Sequence, residues 1–421
     1  MRYLIVLMTA GRRLSPTTFA TETALADHLR AMKTALEPRF DQIVVAMPSL
    51  SEQQYQQRSS QLSVIDEEKD GIRFEPTFSA EVSTATILRE LPATAARLAQ
   101  LVRQADLVHS HPDHTFWRPA MGLASLLAVA MRKKLIAITD MDNRGDAAIN
   151  HKLGIWSTKS YLLCRFVYDP IRDLQQRAFV KMADLMLFKE PQQVEHYGRG
   201  AAHVRLFLDP NFHLPQIASE EVIASKVREL SDPAAPLRLL YFGRLVAYKG
   251  VDRMIEAVAI ARRSGAHLTF DIMGAGDDEG RLRDLVKLRG LDDVVGWVEP
   301  QPYGESFFEE LRRRHLLLAC PLGADTPRST WDAIASGMPL LAFDTPFYRG
   351  MGTYTGAVDV VPWPDVEQLA SRLVEIAAHK ERLVPQVKQA VVVARDNTGD
   401  EWLRRRAAWV EELFDSPAGP S

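Results

Sequence analysis

The chain has 421 residues, 46% apolar and 25% charged, with a formal net charge of −3. That length exceeds one ordinary core and implies two domains. The charge balance excludes a general pull toward nucleic acid, and two cysteines, Cys164 and Cys320, exclude a disulfide framework or a cysteine metal cage.

The chain opens on YLIVLM (3–8), which reads as a first buried strand: no basic region precedes it and no small-residue cleavage site follows. The strand runs into Thr9, Ala10, Gly11, Arg12 and Arg13, a glycine-containing loop. Then come a helical pattern near 20–35, the strand QIVVAM (42–47), helical sequence around 92–104, and the strand DLVHSH (106–111). MGLASLLAVAM (121–131) is about half the ~20 residues a membrane span requires and reads as a buried helix. Arg132, Lys133 and Lys134 behind it read as its solvated end, with contact to acidic lipid as the alternative. KLIAITD (134–140), DLMLF (184–188) and HVRLFL (203–208) complete the strands of this half. The alternation of short apolar runs with helical segments predicts parallel strands with crossover helices.

From Asp209 to Leu237 the character changes. Pro210, Pro215, Pro233 and Pro236 surround a polar helical segment, which we read as the inter-domain connection. The alternation then restarts: LRLLYFG, LTFDIMG, DVVGWV, LLLACPL, PLLAFD and VDVVPW. The expected organisation is an N-terminal domain over 1–212, a linker over 213–236, and a C-terminal domain over 237–398. A C-terminal helix over 399–421 packs back on the first domain and frays at its end. Both domains are Rossmann-like and doubly wound α/β units, so a cleft is expected between the carboxyl ends of two sheets, where such folds bind ligands.

In YFGRLVAYKGVDRMIEA (241–257) an apolar strand ends at Gly243, and Arg244 and Lys249 stand before a helix. Cations there oppose the helix dipole unless an anion joins them. LTFDIMGAGDDEGRLRDL (268–285) places Gly274 and Gly276 in a strand-to-helix turn. The glycines there allow close backbone approach and free N–H groups suit an oxyanion, although an ordinary turn explains the pattern too. In LLLACPLGADTPRSTWDAIASGMPLLAFD (316–344), Arg328, Ser329 and Thr330 sit at the start of a helix, a place that suits a phosphate. Asp332 one turn in has two readings: part of a capping box with Ser329, or a carboxylate that accepts ribose hydroxyls. These groups all fall at carboxyl ends of predicted strands in one half. Convergent donors of this kind, a forked guanidinium, a point cation and a helix start, fit a nucleotide diphosphate.

FGRLVAYKGVDRMIEA, DIMGAGDDEGRLRDLV, VVGWV and DAIASGMPLLAFD, in that order and spacing, resemble the donor half of retaining GT-B glycosyltransferases of the GT4 type, over roughly 238 to 345. On this resemblance the domain over 237–398 binds the nucleotide sugar and the domain over 1–212 the acceptor. The resemblance implies that Arg244 and Lys249 contact the donor diphosphate and that Asp332 binds the ribose. It also implies a loop around Gly11 that closes on donor or acceptor, and donor contacts from Gly243, Gly274, Gly276, Asp325, Arg328, Ser329 and Thr330. The chain departs from the family's pattern. Eight positions before Asp332 stands Ala324 where the family has glutamate, and Asp325 makes the element D-x6-D. After KLIAIT the family often has histidine, where this chain has Asp140, the residue placed in that catalytic position.

HSHPDH (109–114) invites a metal reading, but a strand alternates faces and Pro112 breaks it. We read His109 and His111 as acceptor or sugar contacts, with no metal site. Asp140-Met141-Asp142 matches a D-x-D metal–diphosphate signature yet lies in the half opposite the nucleotide, so sugar or acceptor contact or solvation is preferred. The expected activity is transfer of a sugar from a UDP- or GDP-linked donor to an acceptor (glycan, lipid or small molecule). Retention is implied by the resemblance, and neither metal nor cofactor is called for. The alternatives are a nucleotide-sugar-binding protein without transfer, or a phosphorylase or epimerase on the same architecture. No transmembrane segment and no nucleic-acid partner are expected. The expected location is cytoplasmic, with contact at the inner face of the membrane as an option.

Overall fold

A computed structural model describes residues 1–421 except 38, 81–83, 112–118, 140–145, 324 and 416–421. Among the described residues ten strands form one sheet and six form another. The first contains β1 (Arg2–Val6), β2 (Gly11–Arg13), β3 (Thr18–Glu22), β4 (Gln42–Ser49), β5 (Leu62–Asp66), β6 (Ile72–Ser79), β7 (Leu107–Ser110), β8 (Lys134–Thr139), β9 (Leu185–Phe188) and β10 (Val204–Leu206). Its body is parallel, in the order β6-β4-β1-β7-β8-β9-β10. Strands of this kind are covered on both faces, which is why β1, β4 and β8 are near-continuous apolar runs.

The second sheet holds β11 (Leu237–Phe242), β12 (Leu268–Met273), β13 (Val295–Val298), β14 (Leu316–Ala319), β15 (Leu340–Phe343) and β16 (Val358–Val361). All its pairings are parallel, in the order β13-β12-β11-β14-β15-β16. The order reverses between β11 and β14, so the turns after these two strands form the crevice in which α/β sheets bind ligands.

The first half differs from the expected plain alternation. Gly11 does not lie in a loop. It begins β2, which pairs antiparallel with β3, and β3 pairs antiparallel with β5. Gly11 is buried, and a Cβ there would lie 3.1 Å from Met47 Cε and 3.2 Å from the Ala20 carbonyl oxygen. MGLASLLAVAM forms the helix Ala120–Ala130, packed on β7 and β8.

The segment between the sheets is folded, not slack. Its helix Glu220–Ser231 is capped by Ser219, whose hydroxyl accepts from the Val222 N–H, and Leu230 enters the core of the second half. Lys226 on this helix is fully buried and donates to the carbonyls of Arg314 (2.6 Å) and Gly337 (3.3 Å). At the other end of the chain, helix Gly399–Asp415 packs on helix Thr23–Leu36 of the first half. Arg39 pairs with Glu411 and Asp415, and the Phe40 and Phe414 rings meet edge-on at 5.9 Å. One apolar cluster runs from Tyr3 and Ile5 through Phe207, Phe212 and Trp402 to Phe308 and Met338, joining the two halves.

Candidate functional site at the carboxyl ends of the second sheet

The site is built from three turns pressed backbone to backbone. After β11 the chain passes Gly243 (φ 141°) and Arg244 into a short turn, Ala247–Lys249, and then helix Val251–Arg263. Gly250, in the left-handed region at φ 66°, makes that turn possible, and a Cβ on it would lie 2.1 Å from the Cys320 carbonyl oxygen at the end of β14. The Leu322 N–H donates to the Tyr248 carbonyl at 2.7 Å and ties the two turns. On the other side the turn after β12 lies against the same backbone. Cβ atoms on Gly274 and Gly276 would fall 2.0 and 2.2 Å from the carbonyl oxygens of Gly243 and Leu245. The Leu245 N–H donates to the Ala275 carbonyl at 2.9 Å. These glycines are therefore explained by contact between neighbouring turns, whatever a ligand adds.

Lys249 and Asp325 form an ion pair across the crevice, with side chains only 14% and 15% exposed. Lys249 Nζ also lies 5.3 Å from the centre of the Tyr248 ring. Arg244 is exposed. It donates to the Tyr248 hydroxyl at 2.7 Å, and its own carbonyl accepts from the Tyr241 hydroxyl at 2.7 Å. The conflict of two cations before a helix is thus half resolved within the protein: Asp325 neutralises Lys249, and Arg244 is paired with no carboxylate among the described residues.

The D-x6-D element separates its two acids. Asp332 lies in helix Ser329–Ala335, is 6% exposed, and accepts a hydrogen bond from the Tyr303 hydroxyl at 2.9 Å. Burial raises its carboxyl to about 7, although the Tyr303 hydroxyl and Arg328 pull the other way. The capping-box reading does not hold. The residue at the cap position is Arg328, Ser329 is already helical, and no side chain caps the helix. Asp332 is thus buried without serving the helix end. Thr330 is fully buried, and Ser329 is half-buried.

Arg328 leaves this cluster and crosses to the first half, where it donates to Asn211 Oδ1 at 3.1 Å and lies 3.8 Å from Asp209 Oδ2. Asp209 also holds Lys189 at 3.4 Å and His28 at 3.8 Å. Burial would raise its carboxyl, but Lys189, His28 and Arg328 outweigh that and hold it below the usual range. His109 and His111 do not join the second-sheet cluster. They lie at the end of β7, beside a separate cavity of about 240 Å³. His109 is buried, its Nδ1 accepts from Arg406 at 3.0 Å, and burial beside Arg406 keeps the ring neutral. Asp140 and the whole D-x-D match (140–142) lie outside the described residues, as does the second half of HSHPDH (112–114).

The sequence reading did not single out Tyr303, Tyr248, Asp209 or Arg406. Only Arg406 carried a signal: with Trp402 and Val410 it follows the four-residue spacing of a buried helical stripe.

Two facing Rossmann-like domains with a ligand crevice between their strand ends define a GT-B fold, and comparison with solved structures shows the same. Anabaena HepE in complex with UDP superposes with a TM-score of 0.63 at 14% identity, over 98% of this chain and 100% of that one. WaaG, a glycosyltransferase involved in lipopolysaccharide biosynthesis, gives 0.61 at 13% identity over 99% and 100%. Residues 225–390 match the Glycosyl transferases group 1 family. Among curated relatives, the GtfA subunit of the UDP-N-acetylglucosamine–peptide N-acetylglucosaminyltransferase of Streptococcus pneumoniae serotype 4 is 26% identical over 137 residues. That is 32% of this chain and 26% of the relative. The amylovoran biosynthesis glycosyltransferase AmsK of Erwinia amylovora is 27% identical over 162 residues, 37% of this chain and 39% of the relative. The chain thus matches between a quarter and two-fifths of the length of these two relatives.

Proposed function

We propose that the protein transfers a sugar from a UDP- or GDP-linked donor to an acceptor, with retention of configuration and without a metal. The observation that carries this reading is the Lys249–Asp325 pair, a nearly buried cation held between two strand ends by a partner that a ligand can displace. A donor diphosphate in the crevice would take Lys249 from Asp325 and engage the exposed Arg244. Asp325 would then be free to accept hydroxyls of the sugar, and Asp332 hydroxyls of the ribose.

When the glycosidic bond breaks, its electrons pass to the leaving diphosphate. Lys249 and Arg244 stabilise that charge in a water-poor crevice, the role of preorganised donors. In a same-face substitution the acceptor hydroxyl attacks from the face the diphosphate leaves, and a leaving phosphate oxygen takes its proton. Likeness to HepE in complex with UDP and with UDP-glucose supports the class of donor. A panel of UDP- and GDP-sugars with mixed acceptors tests the reading. Donor-dependent glycosylation is expected. Tight nucleotide binding without turnover on any acceptor would instead make the chain a binding protein.

We also place the protein on the cytoplasmic side of a membrane, in peripheral contact with it. Among the described residues no helix is long and apolar enough to cross a membrane. The helical excursion between β8 and β9 exposes Leu162, Leu163, Phe166, Val167 and Leu174 beside the basic Lys159, Arg165 and Arg172, a combination suited to an anionic lipid surface. Flotation with vesicles of anionic lipid, and not with neutral ones, is the expected result. Phe166→Ser with Leu174→Ser should abolish it.

A further inference from the structure

Arg406, on helix Gly399–Asp415, is 1% exposed and reaches under the first sheet. It donates to the Tyr3 hydroxyl at 2.7 Å and to His109 Nδ1 at 3.0 Å. Neither partner is an anion. Among the described residues no carboxylate pairs with Arg406, and its Nε is buried without a hydrogen-bond partner. A guanidinium stays charged at any pH a protein meets. A buried charge left without a counter-charge is costly, so some compensation is expected.

Arg406 lines the cavity of about 240 Å³ at the ends of β1 and β7, closed by helix Thr23–Leu36. Seven other charged or titratable groups line it, His111 among them. Lys189 and Arg328 share Asp209. His28 is held neutral, its ring lowered to about 4 chiefly by burial, and His109 is neutral for the same reason. Glu22 stands exposed at the rim. Arg406 is thus the cation left over in the interior. Because arginine only donates, His109 must accept at Nδ1, which leaves the proton of its neutral ring on Nε2 as a further donor.

We propose that this cavity binds the anionic group, carboxylate or phosphate, of a sugar acceptor, with Arg406 of the C-terminal helix as its counter-charge. The word acceptor rests on the transferase reading above; the anion site does not. The cavity adjoins the crevice through Arg328, so an anion on Arg406 would hold a sugar ring toward the donor.

The test is calorimetric titration of the full chain with glucuronate, glucose 6-phosphate, inorganic phosphate and glucose. The charged sugars should bind at least tenfold more tightly than glucose. Preference for glucuronate identifies a carboxylate, preference for the phosphosugar identifies a phosphate, and inorganic phosphate should compete with either. Arg406→Met should erase the discrimination and Arg406→Lys should keep part of it, in proteins shown by circular dichroism to be folded. Should Arg406→Met not fold, Arg406→Gln and competition by phosphate in the wild type decide. Equal binding of glucose and the charged sugars overturns the proposal, as does unchanged discrimination in folded Arg406→Met or, in its place, in Arg406→Gln. UDP and GDP titrations run in parallel separate the two claims. Nucleotide binding without anion discrimination removes only this inference, whereas loss of nucleotide binding removes the transferase reading and leaves an anion site standing.

Discussion

Asp332→Asn keeps the shape of the side chain and removes its charge. In the wild type, burial moves this carboxyl from 3.8 to about 7. At about 1.4 kcal/mol per pH unit, holding it ionised in the fold costs on the order of 4 kcal/mol. The sign follows from proton counting. Between pH 4 and 7 the folded chain keeps a proton that the unfolded chain has released, so stability falls as pH rises and levels off above about 7. Asparagine has no such dependence, and its Oδ1 still accepts from the Tyr303 hydroxyl. The variant should therefore gain on the wild type by a few kcal/mol between pH 4 and pH 8, a large part of an ordinary domain's stability of about 5–15 kcal/mol. Guanidinium unfolding curves at both pH values measure this. The same variant should bind nucleotide more weakly at pH 8, since a site held against stability is usually held for function. Parallel pH profiles for the two proteins would refute the argument that burial governs Asp332.

Lys249→Met removes a preorganised cation and should lower turnover by roughly a hundredfold, or about 3 kcal/mol in the transition state. It also leaves Asp325 unpaired, so it is compared with Lys249→Met/Asp325→Asn, which should recover stability without recovering turnover in a transfer assay. Gly274→Ala drives a methyl into the Gly243 carbonyl, 2.0 Å from where its Cβ must sit. It should cost roughly 1–3 kcal/mol or more by thermal unfolding, with the second half melting first. Tyr303→Phe removes the hydroxyl that Asp332 accepts from. It should raise the carboxyl further and move the pH-dependent loss of stability to higher pH, seen in the same unfolding series.

The sequence carried the second sheet well, for a physical reason. Its parallel strands are covered on both faces, so β14 and β15 are the unbroken apolar runs LLLA and LLAF, and the glycine turns after β11 and β12 follow from backbone contact. The first half was read less fully. β2, β3 and β5 are short, partly polar and antiparallel, and β6 contains Pro76, so none shows a clean period. Within the site, Arg244, Lys249, Asp325 and Asp332 could be picked out because each follows a recognisable strand end. What could not be read was the pairing. Lys249 with Asp325 and Asp332 with Tyr303 join residues 76 and 29 positions apart, and only the fold brings them together. Arg406 is one of three consecutive arginines, Arg404, Arg405 and Arg406, alike in residue type, and helical spacing turns only the third inward beside Trp402.

The central claim is that the turns after β11, β12 and β14 hold a nucleotide diphosphate. Its most direct test is calorimetric titration of the wild type and Lys249→Met with UDP and GDP. Saturable one-site binding of one of them, weakened at least tenfold by the substitution, is the predicted result. No binding of either nucleotide, or equal binding by both proteins, would contradict it.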